Sequence, residues 1–450
     1  MENTRELIVD MLLEIGEKER YSHLVIRDVL DKYNYMAPRD KAFIKRTVEG
    51  TLERMIQIDY VLDQFSKVPV SRMKPFIRSL LRMSVYQLLF MDSVPDRAVC
   101  NEAVKLAGKR GFRTLQGFVN GVLRTVGRQK AEIAYPNKSE NPIKYLSVKY
   151  SMPEWLVEKF IGEQGREKAE AICGAFLKET PVTLRLKDSL SEEERQRLLT
   201  DIKKSGGVIT PHSYLPYAFY LAKAEGIEKV PGFSEGLFMV QDVSSMLVCE
   251  AAAISEGSYV IDVCAAPGGK ALHGAEKLRG TGCVSARDLT EYKVSLIRDN
   301  IDRMKLSNVE ALVWDACRLR QEDVERADIL IADLPCSGLG VIGKKKDIKY
   351  HVSRESLQQV CRLQRQILDV VWRYVKPGGI LIYSTCTINP MENQDNVHWF
   401  IQNYPFELQD VAPFMPLPLR EQVKDGSLQL LPGIHETDGF FIARLKRKGI

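Results

Sequence analysis

The stretch Tyr259-Val-Ile-Asp-Val-Cys-Ala-Ala-Pro-Gly-Gly-Lys270 runs from a β-branched apolar segment into a glycine turn. Its spacing predicts a strand over 259–264 and a helix over about 268–278. The pattern then repeats. Strands are expected at 282–288, 309–315, 327–333 and 379–384, with helices at about 290–304, 355–375 and 391–403. Near-continuous apolar strands separated by helices describe a mostly parallel sheet covered on both faces, an α/β domain over 236–450. Ligands of such sheets sit at the carboxyl ends of the strands.

Acids and cysteines gather where that rule puts them. Asp262 and Cys264 close the first strand, Asp288 the second, Asp315 the third and Asp333 the fourth, while Cys386 follows the fifth. One such acid is ordinarily a helix cap. Four in register point to a ligand. In the loop Cys264-Ala265-Ala266-Pro267-Gly268-Gly269-Lys270, missing Cβ atoms let backbone approach a ligand at a helix N-terminus. Neither G-x-G-x-x-G nor G-x-x-x-x-G-K-[ST] is present, which disfavours dinucleotides and nucleoside triphosphates. Asp288, 20 residues beyond Gly268, suits ribose hydroxyls. A nucleoside without phosphates, S-adenosylmethionine, matches these parts.

Two cysteines lie beside that expected methyl donor, in Asp333-Leu-Pro-Cys-Ser-Gly338 and in Ser384-Thr-Cys-Thr387. Carbon 5 of cytosine is a poor nucleophile until a thiolate adds to carbon 6. An acid near ring nitrogen 3 and a base for the carbon 5 proton complete the chemistry. Cys173, Cys249, Cys283 and Cys361 read as small buried hydrophobes.

Upstream the pattern is helical through 1–131, with no β-branched alternation, as in Phe76–Phe90 and Gly111–Arg124. Residues 41–130 carry a net charge of +10, against +5 for all 450 residues and −3 for residues 1–40. Such a concentration suggests a polyanion-binding face, carried by Arg78, Arg82, Lys109, Arg110, Arg113, Arg124 and Arg128. Residues 132–235 read as a proline-containing linker (131–150) followed by a small α/β insert, with helices at 153–160 and 191–205 and strands at 181–186 and 207–210. Hydrophobic residues at 45% and charged ones at 27% mark a folded globular chain. No apolar run reaches the roughly 18 residues of a membrane helix, and no secretory leader is visible. Nine cysteines without a C-x-x-C pair, and six unpaired histidines, give no metal site and suit a reducing cytoplasm.

Asp262–Lys270, Asp333–Gly338 and Ser384-Thr-Cys-Thr-Ile-Asn-Pro-Met-Glu-Asn393 together resemble the motif set of the RNA 5-methylcytosine methyltransferases, the NOL/NOP/Sun group. Gly236–Ser245 and Asp438–Arg444 fit the same group. The first 131 residues resemble a NusB-type RNA-binding domain, through Asn101-Glu-Ala-Val and Val119-Asn-Gly-Val-Leu-Arg124. The resemblance implies a Rossmann-like class I S-adenosylmethionine-dependent fold behind an all-helical module. It implies Cys386 as nucleophile, Cys336 assisting release of the methylated base, and Asp333 contacting both cytosine and the donor's methionine end. Cys264–Lys270 with Asp288 and Asp315 would hold the donor. The implied substrate is cytosine 967 of 16S rRNA in a small-subunit precursor, acted on by a cytoplasmic monomer. Leu334 and Ala271 depart from the group's usual residues, yet neither removes a reacting group. Gly343-Lys-Lys-Lys-Asp-Ile-Lys349 resembles the group's basic segment and is expected to touch phosphate.

Three other readings are weaker. An antitermination-type RNA binder with a vestigial catalytic domain would have no need of both cysteines and four acids. An amino-group methyltransferase ordinarily stacks the base on an aromatic after the fourth strand, where this chain has Cys336. A tRNA or large-subunit target is opposed only by the NusB-like module.

Overall fold

The computed structural model describes residues 3–224 and 226–449, which form two compact units. The first comprises the chain to Lys178 together with Ile342–His351; the second comprises Glu179–Val341 and Val352 onward. The region 132–235 is thus divided between them. Among the described residues no helix is long and apolar enough to cross a membrane.

The first unit is built of helices. Pro75–Phe90 has Ser79–Leu81 and Met83–Leu88 buried, so it is the central helix, covered on all sides. Helices Thr4–Glu17, Pro38–Glu53 and Gln116–Arg128 supply Ile8, Ile44, Val48, Val119 and Leu123 to the same core. Gly50 is required by close packing: a Cβ there would lie 2.0 Å from the ring of Tyr86.

The expected linker is shorter than its composition suggested. Pro142 occupies the first turn of helix Pro142–Tyr150, where a missing N–H costs nothing, and Asn141 Oδ1 caps it by accepting from Lys144 N at 2.9 Å. Two further helices follow, Glu154–Gln164 and Arg166–Ala175. Ser151 Oγ accepts from Ile56 N at 3.0 Å, and Gln57 Nε2 donates to Tyr135 Oη at 2.8 Å, tying this part to helix Met55–Phe65.

Part of the charge counted along the sequence is paired in space, although residues 1–130 keep a net +7. Arg82 makes a two-pronged pair with Asp59 at 2.7 and 2.6 Å, Arg110 pairs with Asp10 at 2.6 Å, and Arg78 and Lys109 meet Glu17 and Glu6. Of the basic residues expected to face polyanions, Arg113, Arg124 and Arg128 are exposed, as are Lys109 and Arg110 despite their acidic partners.

The lysine-rich segment also departs from expectation. Lys346 pairs with Glu53, while Lys349, 2% exposed, donates to the carbonyls of Glu53 and Ser151 at 2.7 and 2.6 Å. Asp347 accepts from Ser22 N at 2.6 Å. These residues anchor the segment within the first unit, so Lys346 and Lys349 are structural rather than phosphate contacts. Burial pushes the Lys349 ammonium down to about 7, against the pull of Glu53. In the unfolded chain a lysine titrates near ~10.4. Between those values the unfolded chain holds a proton that the folded unit lacks, so stability rises with pH. Denaturant melts from pH 7 to 10 should show a gain on the order of 4 kcal/mol that Lys349→Met largely removes. Equal slopes in the two proteins would refute the assignment.

The second unit holds two sheets. The smaller is antiparallel, in the order β2 (Val208–Pro211), β3 (Ala218–Ala222), β1 (Val182–Leu186), β4 (Phe238–Val240). In the larger, β5 (Tyr259–Asp262), β6 (Cys283–Asp288), β7 (Val309–Val313), β8 (Ala327–Asp333) and β9 (Val375–Thr385) run parallel. β10 (Phe406–Gln409), β11 (Ser427–Leu430) and β12 (Phe440–Arg447) complete it, β12 lying antiparallel between β9 and β10 and also pairing β11. The order β10-β12-β9-β8-β5-β6-β7 has a switch point at β5/β8, where the chain leaves in opposite directions and a crevice opens. Apolar cores cover both faces, one around Met246, Leu272 and Ile382, the other around Leu330, Leu368 and Tyr383.

Candidate active site

Asp262, Asp288 and Asp333 are the last residues of β5, β6 and β8, and Cys386 is the first after β9. Asp315 lies in the turn two residues past the end of β7 rather than on the strand, where its Oδ1 accepts from Cys317 N at 2.9 Å. All belong to the carboxyl edge of the parallel strands.

A cleft of about 160 Å³ opens at that edge, lined by Cys264, Ala265, Ala266, Pro267, Gly269, Lys270 and Asp333 of the expected residues. Asp262, one of the strand-end acids, lines it too, as do Gln241, Asp242 and Ser245, for which the sequence carries no binding signal. Gly268 lies behind the wall with φ +109, a conformation few side chains tolerate; a Cβ would sit 2.8 Å from Leu272 Cδ1. Asp288 is also set back. Its Oδ2 accepts from Ala266 N at 3.0 Å and its Oδ1 from Leu289 N at 2.8 Å, with Lys293 Nζ 2.9 Å away, so it shapes the loop as well as presenting charge.

Lys270 and Asp333 pair at 2.7 Å across the cleft, and Ser384 Oγ donates to the other Asp333 oxygen at 2.8 Å. Burial alone would lower Lys270, but Asp333, by charge and hydrogen bond, and Asp262 leave it raised and fully charged. Asp262 is 1% exposed; one oxygen accepts from Cys264 N, while Oδ2 has no partner. Burial first, opposed by Lys270 and reinforced by Asp333, pushes its carboxyl up to about 7. An unsatisfied buried acceptor on a cleft wall is a place for a ligand donor.

The two cysteines meet. Cys336 Sγ and Cys386 Sγ are 3.1 Å apart, joining the loops that follow β8 and β9. The hydrogen bond with Cys386, then burial, then the charges of Cys386 and Glu392 hold the Cys336 thiol well above its ordinary value. Cys336 is therefore held as a thiol in contact with Cys386. Cys264, raised by burial and by Asp262, Asp288 and Asp333, also stays a thiol. Backbone packing seats the pair: Gly340 N donates to Cys386 O at 3.1 Å and Gly439 N to Gly340 O at 3.0 Å. A Cβ on Gly340 would sit 2.0 Å from Gly439 O, so only glycine fits. No group of side chains among the described residues could hold a metal ion.

The family model for 16S rRNA methyltransferase RsmB/F matches residues 250–446, and the NusB family model matches residues 2–128. The chain is 36% identical to a probable ribosomal RNA small subunit methyltransferase B of Bacillus subtilis, covering 99% of both chains. The chain belongs to the ribosomal RNA small subunit methyltransferase B family. A ribosomal RNA small subunit methyltransferase B of Cronobacter sakazakii is 29% identical over 99% of each chain. Among solved structures, that of PH0851 superposes with a TM-score of 0.80 at 25% identity over 99% of each chain. A methyltransferase homolog protein from Pyrococcus horikoshii gives 0.57 at 27% identity over 68% of this chain and 99% of that one. Family membership bears out the RsmB/Sun-type, S-adenosylmethionine-dependent methyltransferase expected from the motifs, with its NusB-type helical module and mostly parallel catalytic sheet.

Proposed function

We propose that the protein methylates carbon 5 of one cytosine in 16S rRNA, cytosine 967, through a covalent adduct of Cys386 with carbon 6. It acts as a cytoplasmic monomer on a small-subunit precursor. The observation that carries this reading is the thiol pair beside a charged Lys270–Asp333 pair, because an amino-group methyltransferase needs no thiol at all.

S-adenosylmethionine supplies an electrophilic methyl group when bound. Its amino group suits the unpartnered Asp262 oxygen, the Cys264–Lys270 loop forms the wall, and Asp288 and Asp315 hold ribose and adenine. Asp333, fixed by Lys270 and Ser384, holds the pairing edge of the cytosine. Cys386, once deprotonated, would bond through sulfur to carbon 6, and the electron pair moved to carbon 5 would take the donor's methyl group as the donor departs as neutral S-adenosylhomocysteine. Loss of the carbon 5 proton to a base then expels Cys386, with Cys336 assisting. Digesting methylated 16S rRNA to nucleosides tests the chemistry: 5-methylcytidine is expected, and N4-methylcytidine would overturn it.

Residues 1–131 serve as the RNA-binding module, 132–235 as linker and family-specific insert, and 236–450 as the catalytic domain. Arg124 and Arg128 lie one turn apart on helix Gln116–Arg128, with Arg113 just ahead of it. Replacing all three by alanine should weaken rRNA binding and flatten the log K against log salt slope by about 2–3. An unchanged slope would place the RNA contacts elsewhere.

A further inference from the structure

Resting on the thiol-pair reading above, we propose that Glu392 is a positioning residue that fixes Cys336 against Cys386 and gives the two sulfurs unlike roles. Glu392 ends the short turn Pro390–Glu392 and is 0% exposed. Its Oε1 accepts from Ser337 Oγ at 2.6 Å and from Asn389 Nδ2 at 2.7 Å. Its Oε2 accepts from Ser337 N at 2.8 Å and from Gln364 Nε2 at 3.3 Å. One carboxylate thereby joins the residue next to Cys336 to the loop that carries Cys386.

None of these four donors is cationic, so a full charge is buried on hydrogen bonds alone. That arrangement costs desolvation which an apolar filler would avoid. The charge has a chemical consequence. Glu392 and Cys386 bear on Cys336, whereas Cys386 interacts with the Lys270 ammonium. Glu392 acts on the Cys336 side and Lys270 on the Cys386 side, which makes the two sulfurs unlike. Ser337 Oγ to Thr387 Oγ1 at 2.8 Å ties the two loops a second time.

The test uses the full-length protein and two variants, Glu392→Gln and Ser337→Ala. Labelling of Cys336 and Cys386 by iodoacetamide is followed against pH by peptide mass spectrometry, without donor or RNA. Methylation kinetics and S-adenosylmethionine binding are measured alongside. In the wild type Cys386 should label ahead of Cys336. In Glu392→Gln the gap should narrow by about tenfold, the scale of one pKa unit. Its kcat should fall by about 100-fold, as for a displaced catalytic group, with KM and donor affinity held within about twofold. If Glu392→Gln fails to bind donor and so has not folded, Ser337→Ala decides, since it removes one donor and spares the carboxylate. Its gap and kcat should move the same way by a smaller amount. A variant that binds donor normally and keeps both the wild-type gap and the wild-type kcat overturns the proposal. The labelling gap needs no turnover, so it stands apart from the nucleophile assignment, which fails separately if Cys386→Ala still methylates.

Discussion

Cys386→Ala is expected to bring methyl transfer to background, a loss on the order of 10⁴-fold or more, as for removal of a reacting nucleophile. S-adenosylmethionine affinity should stay within a few fold, because the donor cleft is lined by Cys264–Pro267, Lys270 and Asp333 and not by Cys386. Cys336→Ala should behave differently. The adduct can still form, but its release is slowed, so RNA should remain attached to the protein after denaturation in gel. The basis is the 3.1 Å contact between sulfurs, in which Cys336 holds the proton. Near-normal methylation by Cys386→Ala, with adduct lost in Cys336→Ala, would reverse the two assignments.

Asp333→Ala should damage stability and catalysis together. Asp333 is the ion-pair partner of Lys270 and accepts from Ser384, and both side chains are largely sheltered. Removing one partner of such a pair strands the other charge and costs about 3–5 kcal/mol when burial is complete. Asp333→Asn separates the effects. It keeps the volume and the acceptor for Ser384 but still leaves Lys270 without its counter-charge, so stability should recover only in part. Methyl transfer should nevertheless fall by about 10²–10⁴-fold, the usual contribution of a positioned proton-transfer group. Thermal melts and single-turnover methylation, measured on both variants, read the two quantities. Full activity in Asp333→Asn would leave Asp333 a purely structural partner of Lys270.

The parts of this architecture that sequence made legible are those with local, periodic signals. β5, β6 and β8 are buried almost end to end, so their apolar runs stand out, and their terminal acids fall at the sheet edge. The antiparallel strands β10 and β11 are four residues each and partly polar, too short for alternation to mark them. The helix Glu154–Gln164 is legible over 153–160, whereas Pro142–Tyr150 and Arg166–Ala175 are obscured by nearby prolines and polar residues. Charge counting needs the fold for a different reason. Arg110 finds Asp10 100 residues away, so a local excess of lysine and arginine overstates the unpaired charge that survives folding. Lys349 shows the same in extreme form, a residue from a basic run that ends up buried. Glu392 carried no periodic signal. Its only mark was its place six residues beyond Cys386 within the motif, and its four donors come from three segments of the chain.

Bisulfite sequencing of small-subunit rRNA, from cells lacking the gene and complemented with wild type or Cys386→Ala, tests the central claim most directly. Cytosine 967 should resist conversion in wild-type cells, convert in the deletion strain, regain protection with the wild-type gene, and stay convertible with Cys386→Ala. Protection at that cytosine in the deletion strain, or its restoration by Cys386→Ala, would contradict the assigned target or the assigned nucleophile respectively.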